Sequence, residues 1–343
     1  MNPNNYISWN TDPVAFTIPE ISLPFSVSIY GLILAAAVYY YVSRKLWPQL
    51  KNEKKKPDEI NIPLWQQLSV IIGSLVIGQL PFLFIDSPSF SSIGPVQPYW
   101  YGIMFATGFV FGYMLTGKMY RDAGRTQEEL DRILIYVVIA TVIGARLGHV
   151  IFYDLEYYLR NPMLIPAIWQ GGLASHGAAI AILIAMYLYV KRTPNMTYLW
   201  LADRVVPGVA VGGMFIRIGN FFNSEIIGKA AELPWAIVFE RVDSIPRHPT
   251  MLYESLLCLL LIGVLMIIYQ KYKKNPPEGA IFGSFLVILF TGRFLLEFTK
   301  VPQAEFATDW AINMGQWLSI PLVAFGVWLL VKKVDWNTPG MKK

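Results

Sequence analysis

Charge is scarce in this chain. Only 15% of its 343 residues are Asp, Glu, Lys or Arg, against about 25% in an ordinary soluble domain. There are three histidines and one cysteine. A single cysteine excludes an intrachain disulfide, and Cys258, inside an apolar run, has no second thiol with which to build a metal site. It reads as a small buried hydrophobe. The motifs GxxxxGKS/T, HExxH, CxxC and GxSxG are all absent. Nucleotide-driven, zinc and serine-hydrolase chemistries therefore lack their usual local signals.

Apolar residues, by contrast, are abundant. Hydrophobic side chains make up 55% of the chain, and the mean hydropathy is +0.43. A soluble globule of this size could not hide so much apolar surface. Nine apolar stretches are legible, at about 23–43, 64–85, 99–117, 132–153, 172–190, 198–216, 251–270, 279–298 and 315–331. Each approaches the ~20 residues that carry a helix across about 30 Å of hydrocarbon. The fold class expected is an all-α polytopic membrane protein with about nine transmembrane helices.

The connections alternate in charge. Nineteen of the 28 basic residues fall in or beside 44–63, 118–131, the pair Lys191 and Arg192, 271–274, and the tail from Lys332 to Lys343. Segments 1–22 and 86–98 have none. Positive loops stay in the cytoplasm, so an odd number of spans puts the N-terminus outside and the C-terminus inside. A net charge of +5 then reports membrane orientation and implies no nucleic acid. The first apolar stretch is not read as a signal peptide, which carries its positive charge before the apolar core. Here the basic cluster from Arg44 follows it, so the stretch is read as a retained helix.

Once this topology is drawn, the remaining basic residues become informative. Arg146, Arg217, Arg241, Arg247 and Arg293, all three histidines (His149, His176, His248), and Glu225, Glu254 and Glu297 fall at or beyond outer helix ends. Ionisable groups there are costly unless paired, hydrated or snorkelling, and these oppose the positive-inside bias. An anionic lipid phosphate would compensate them. If helical, Arg217, Asn220 and Ser224 share a face, and so do Arg293, Glu297 and Lys300. Arginine's planar fork fits a phosphate, so Arg217 and Arg293 could clamp one phosphodiester. Blander readings stand beside this. Arg146, Arg241 and Arg247 could snorkel to headgroups, and Arg293 with Glu297 could be a structural i,i+4 pair. His149 could be an interfacial residue, and His248 a helix-start residue. His176, flanked by small residues that would let a lipid approach, is the strongest histidine candidate. Gly208 and Gly212 read as a helix-packing pair.

Taken together, these motifs resemble the prolipoprotein diacylglyceryl transferases of bacteria. The likeness runs from about residue 94 to 332. It includes Tyr99-Trp100-Tyr101-Gly102, the GxRLG stretch at Arg146, the SHG of His176, and Asp203 placed 14 residues before Arg217. It continues with RxGNFxNxE from Arg217 to Glu225 followed by Gly228, RHPxxLYE from Arg247 to Glu254, and GRFxxEF from Arg293 to Phe298. The resemblance implies transfer of a diacylglyceryl group from phosphatidylglycerol to the thiol of a lipobox cysteine in a prolipoprotein signal peptide. A thioether forms and glycerol phosphate leaves, with no metal and no cofactor, at the outer leaflet of the bacterial cytoplasmic (inner) membrane. His176, Arg217 and Arg293 are then the expected catalytic residues. Tyr101, Arg146, Asp203, Asn220, Arg217, Glu225, Gly228 and Glu297 are expected to bind the lipid.

The chain departs from the family pattern in two places. About 90 residues precede the aromatic entry, so residues 1–93 are expected to form an extension with two extra helices, 94–332 the seven-helix transferase core, and 333–343 a basic cytoplasmic tail. Within the extension Tyr30-Gly31 echoes Tyr101-Gly102, and Tyr30 competes for the same role. Lys300 stands where the family commonly has arginine, which keeps the charge and loses the fork. On the residues alone two other classes stay open. A lipid or anion transporter would show broken helices and polar groups near the bilayer midplane. A structural scaffold would have no reason to gather cations on one leaflet.

Overall fold

The computed structural model describes residues 6–42, 64–83, 89–168, 171–301 and 313–337. The basic segment 44–63 and the last lysines, on which part of the orientation argument rests, lie outside the described residues. The chain forms two compact units, one of residues 14–98 and one that joins the residues up to Pro13 to those from Tyr99 onward.

In the smaller unit, helix α1 (Ile29–Tyr41) follows strand β2 (Ile21–Ser28), which pairs antiparallel with β3 (Ser89–Ile93). Ser28 caps α1, its hydroxyl accepting from the Gly31 amide at 3.1 Å. The amide of Gln79, the last residue of α2 (Leu64–Gln79), accepts from Ser28 N at 2.8 Å and donates to Ser28 O at 3.1 Å. A polar residue in an apolar helix thus has both halves of its amide paired, as burial requires. At 13 and 16 residues, the described parts of these helices span about 20 and 24 Å.

The larger unit holds helices α3 (Trp100–Asp122), α4 (Gln127–Phe152), the short α5 (Leu155–Arg160), α6 (Ser175–Arg192), α7 (Tyr198–Asn223), α8 (Thr250–Lys271), α9 (Ala280–Leu296) and α10 (Met314–Lys332). Among the described residues, five helical segments are long and apolar enough to cross a membrane: α4, α7, α8, Ala280–Thr299 and Gly315–Lys332. The protein is a mostly helical, polytopic membrane protein. Its long helices carry exposed apolar faces, such as Leu256, Leu259, Leu260 and Ile267 on α8. That is the reverse of a soluble bundle and what a lipid solvent selects.

Small residues set the helix spacing, because lipid tails give no hydrophobic push between apolar helices. A Cβ on Gly177 of α6 would stand 2.3 Å from Gly144 O and 2.6 Å from Gly148 Cα of α4. The Gly208–Gly212 pair of α7 meets Gly112 and Gly108 of α3 in the same way. These contacts make neighbours antiparallel. Residues late in α6 (Met186, Tyr189) cluster with residues early in α7 (Trp200, Leu201). Ile281 and Phe285, early in α9, pack with Val206 of α7 and with Leu265 and Tyr269 late in α8. The starts of α3, α6, α8 and α10 therefore share one end of the unit with the finishes of α4, α7 and α9.

Short strands lie at that end, where the sequence suggested only connections. β1 (Ile7–Trp9) runs parallel to β4 (Ile237–Phe239), which pairs antiparallel with β5 (Pro246–Arg247). Trp9, Phe221, Ile237, Phe239 and Met251 form a small apolar cluster that seats this sheet on α7 and α8. The helices are joined by a modest β element, not by loops alone.

Candidate active site

Arg217 lies one and a half turns before the end of α7. Its Nε is 3.0 Å from Oε2 of Glu254, in the second turn of α8, although the N–H is not aimed at that oxygen, which receives no hydrogen bond. Its Nη1 donates to Asn220 Oδ1 at 3.4 Å. Asn220 passes the connection on, donating to Glu225 Oε2 at 3.0 Å, while Asn223 donates to Glu225 Oε1 at 3.0 Å. Among the described residues Arg217 Nη2 meets no acceptor.

The face proposed for Arg217, Asn220 and Ser224 is interrupted at its last member. Ser224 ends the helix in the left-handed region (φ 56°), and Ile226 is left-handed again (φ 57°). A β-branched residue rarely adopts that conformation. It is held there by Thr250, whose hydroxyl donates to Ile226 O at 2.7 Å. This double bend folds Glu225 back onto Asn220. Gly228 follows, and a Cβ there would fall 2.5 Å from His248 O. Its amide donates to His248 O at 3.1 Å and its carbonyl accepts from Arg247 Nη1 at 3.2 Å. Tyr101, at the start of α3, lies against the same helix: a Cβ on Gly219 would be 3.0 Å from its ring. Tyr101 is thus the tyrosine seated beside Arg217, whereas Tyr30 belongs to the other unit.

Beyond α9 the expected face changes partners. The helix stops at Leu296, and Glu297–Thr299 form a 3₁₀ turn. Glu297 pairs with Lys300, Oε2 to Nζ at 3.1 Å, and not with Arg293. Lys300 also reaches Glu254 Oε1 at 2.7 Å. Arg293 is half-buried and has no hydrogen bond or ion pair among the described residues. Arg247 binds Asp243 through Nε and Nη2. Its guanidinium holds the Asp243 carboxyl below the usual carboxylate range.

His176 stands in the first turn of α6 at the same end of the unit. Its ring is exposed, 5.4 Å from the Phe152 ring and 5.7 Å from that of Tyr153. Its nitrogens make no hydrogen bond among the described residues. It shares no polar or ring contact with Arg217 or Arg293. His149 faces Asp154 at 3.3 Å.

Besides Glu297, two further expected lipid contacts are occupied otherwise. Arg146, 3% exposed, donates to four carbonyls: Ile165 (2.7 Å), Leu164 (2.7 Å), Gly171 (2.7 Å) and Gly172 (3.3 Å). Its fork clasps the loop between α5 and α6, over the Tyr158 ring. Asp203 is fully buried, and its two oxygens accept from the Gly279 and Phe282 amides at 2.7 Å each. It caps the start of α9, about 21 Å along α7 from Arg217. Glu254, which the sequence reading named among the outer polar residues without assigning it a role, lies between Arg217 and Lys300. It stood in the RHPxxLYE motif, but nothing local indicated that it would link Arg217 to Lys300.

A family model described as prolipoprotein diacylglyceryl transferase matches residues 88–332. The phosphatidylglycerol–prolipoprotein diacylglyceryl transferase of Tolumonas auensis is 46% identical over 244 residues, which are 71% of this chain and 94% of that protein. The enzyme of that name from Chloroherpeton thalassium is 42% identical over 254 residues, 74% of this chain and 95% of its own. That of Bacteroides fragilis is 38% identical over 256 residues, 71% and 92%.

Proposed function

This chain belongs to the prolipoprotein diacylglyceryl transferase family, and on that premise we propose how its residues perform the transfer. It is a transferase that moves the diacylglyceryl group of phosphatidylglycerol to prolipoproteins. In our reading the acceptor is the thiol of a lipobox cysteine. The sulfur attacks the glyceryl carbon that bears the phosphate, the C–O bond breaks with its electron pair on oxygen, glycerol phosphate leaves, and a thioether remains. The membrane arrangement we assign is about nine spans with the N-terminus outside. The site then faces the outer leaflet, on the support of the basic connections at the opposite helix ends.

The observation that carries the residue assignment is the pair of arginines with unspent donors. Among the described residues Arg217 donates through Nη1 to Asn220 and lies beside Glu254 while Nη2 meets no acceptor, and Arg293 has no polar partner. Both lie at the end of the bundle that holds His176. A phosphodiester between them would receive charge-assisted hydrogen bonds, strengthening as negative charge grows on the leaving oxygen. A thiol of ordinary pKa, about 8.5, is only a few per cent thiolate at neutral pH. His176, with unengaged nitrogens and an exposed ring, takes that proton, a contribution of about 10²–10⁴ in rate. Tyr101, Asn220 and Glu225 line the headgroup side of Arg217, Gly228 keeps the turn beyond them tight, and Glu297 holds Lys300. Arg146 and Asp203 act at a distance, one organising the loop before His176 and the other anchoring the start of α9.

Purified protein given phosphatidylglycerol and a lipobox peptide tests this. Glycerol phosphate release and a matching gain in peptide mass are expected, with both lost in His176→Gln. A His176→Gln variant with full turnover removes the base assignment, and a wild type that leaves the peptide unchanged removes the reaction.

A further inference from the structure

We propose that Glu254 is the positioning residue for Arg217, and that Lys300 and Glu297 hold Glu254 in place. The proposal rests on the transferase reading and deepens it. Glu254 and Lys300 are each 5% exposed. One carboxylate oxygen of Glu254 takes the Lys300 ammonium at 2.7 Å, and the other lies 3.0 Å from Arg217 Nε. Glu254 thus sets a negative charge beside the Nε of Arg217, while Nη1 of the same fork is taken by Asn220. A buried carboxylate left with no cation would be costly, and Lys300 supplies that cation without spending Arg217.

Lys300 is itself fixed from two directions. Its Nζ is shared with Glu297 at 3.1 Å. Its backbone bridges Gly228, and the neighbouring Thr299 carbonyl accepts from Lys229 N at 2.8 Å. The network therefore couples the turn after α7 to the end of α9, and α7 and α9 are the helices that carry the arginines. A lysine suits this position because it serves two separate carboxylates as a compact charge, a task that needs no planar fork. Arg217 Nε lies within reach of Glu254 Oε2 but is not aimed at it, the loose geometry that tightens when substrate fills a site.

The test compares wild type with Glu254→Gln, Lys300→Met, Lys300→Arg and the double variant Glu254→Gln/Lys300→Met. All are full chains in detergent with phosphatidylglycerol and a lipobox peptide, and kcat, both KM values and the thermal midpoint are measured. Misplacing a catalytic group by about 1 Å can cost on the order of 10² in rate. Glu254→Gln is expected to lose about that much in kcat with the peptide KM unchanged, and Lys300→Arg to stay within about threefold of wild type. The double variant removes one charge of each sign. Its thermal midpoint should recover toward wild type while its kcat stays low. Recovery of kcat together with the midpoint would show a merely structural role and overturn the proposal, as would an unchanged kcat in Glu254→Gln. If Glu254→Gln does not fold, Glu254→Asp keeps the charge and withdraws it by one methylene, and a wild-type kcat in that variant also overturns it. A wild type without transfer sinks the transferase reading itself, and this proposal with it.

Discussion

Replacing Arg146 separates two accounts of one motif. The family resemblance places this residue against the lipid, whereas the structure directs its fork at the carbonyls of Leu164, Ile165, Gly171 and Gly172. Removing the side chain takes the charged donor from each of these part-buried carbonyls, at about 1–3 kcal/mol each before relaxation. Allowing for non-additivity, Arg146→Ala should weaken the loop by about 3–5 kcal/mol. Arg146→Lys offers one ammonium to carbonyls spread around a planar fork and should lose roughly half as much. Hydrogen exchange is the direct assay. Amides whose exchange requires the loop to open, such as those of Leu164, Ile165 and Ala167, are expected to exchange about 10²–10⁴ times faster in Arg146→Ala. The headgroup affinity should change little once stability is matched by lowering the temperature. Unchanged loop exchange with a tenfold rise in the phosphatidylglycerol KM would refute the clasp and restore Arg146 to the lipid.

Three further outcomes are expected. Arg217→Ala and Arg293→Ala should each reduce glycerol phosphate release by about 10²–10³, the scale of losing one preorganised donor to a developing oxyanion, while Arg241→Ala on the exposed turn should stay within about twofold; equal losses in all three would undo the clamp. Asp203→Ala should lower the thermal midpoint through loss of the α9 cap, about 1–2 kcal/mol, with the KM for phosphatidylglycerol unchanged; a selective rise in that KM would return Asp203 to the site. The Asp243 carboxyl is held below its unfolded pKa by Arg247, so its stabilising contribution is complete above about pH 4 and is lost as the pH falls through the lower folded value; protease sensitivity of the 240–247 turn in wild type should therefore converge on that of Asp243→Asn in acid, and a difference that grows as pH falls would contradict the pairing.

The long helices were legible because their determinants are local. Apolar runs of the right length at 132–153, 198–216, 251–270 and 279–298 became α4, α7, α8 and α9, and Gly208 with Gly212 marked a close helix contact. Most of the polar residues assigned to one side do share one end of the bundle, since alternation of helix direction follows from short connections. Pairings between distant segments were not legible. Nothing near Glu254 announces Lys300, and nothing near Arg146 announces carbonyls about 20 residues away. The i,i+4 spacing of Arg293 and Glu297 suggested a pair, but the 3₁₀ turn after Leu296 and the proximity of Lys300 redirected the carboxylate. Strand β1 was hidden for the same reason, because its partner β4 lies more than 200 residues away.

An experimental structure of the protein with phosphatidylglycerol bound tests the central claim most directly. The account predicts the lipid phosphate at about 3 Å from guanidinium nitrogens of both Arg217 and Arg293, with the adjoining glyceryl carbon open on the side where His176 stands. A phosphate bound to neither arginine, or one separated from His176 by the body of the bundle, would contradict it.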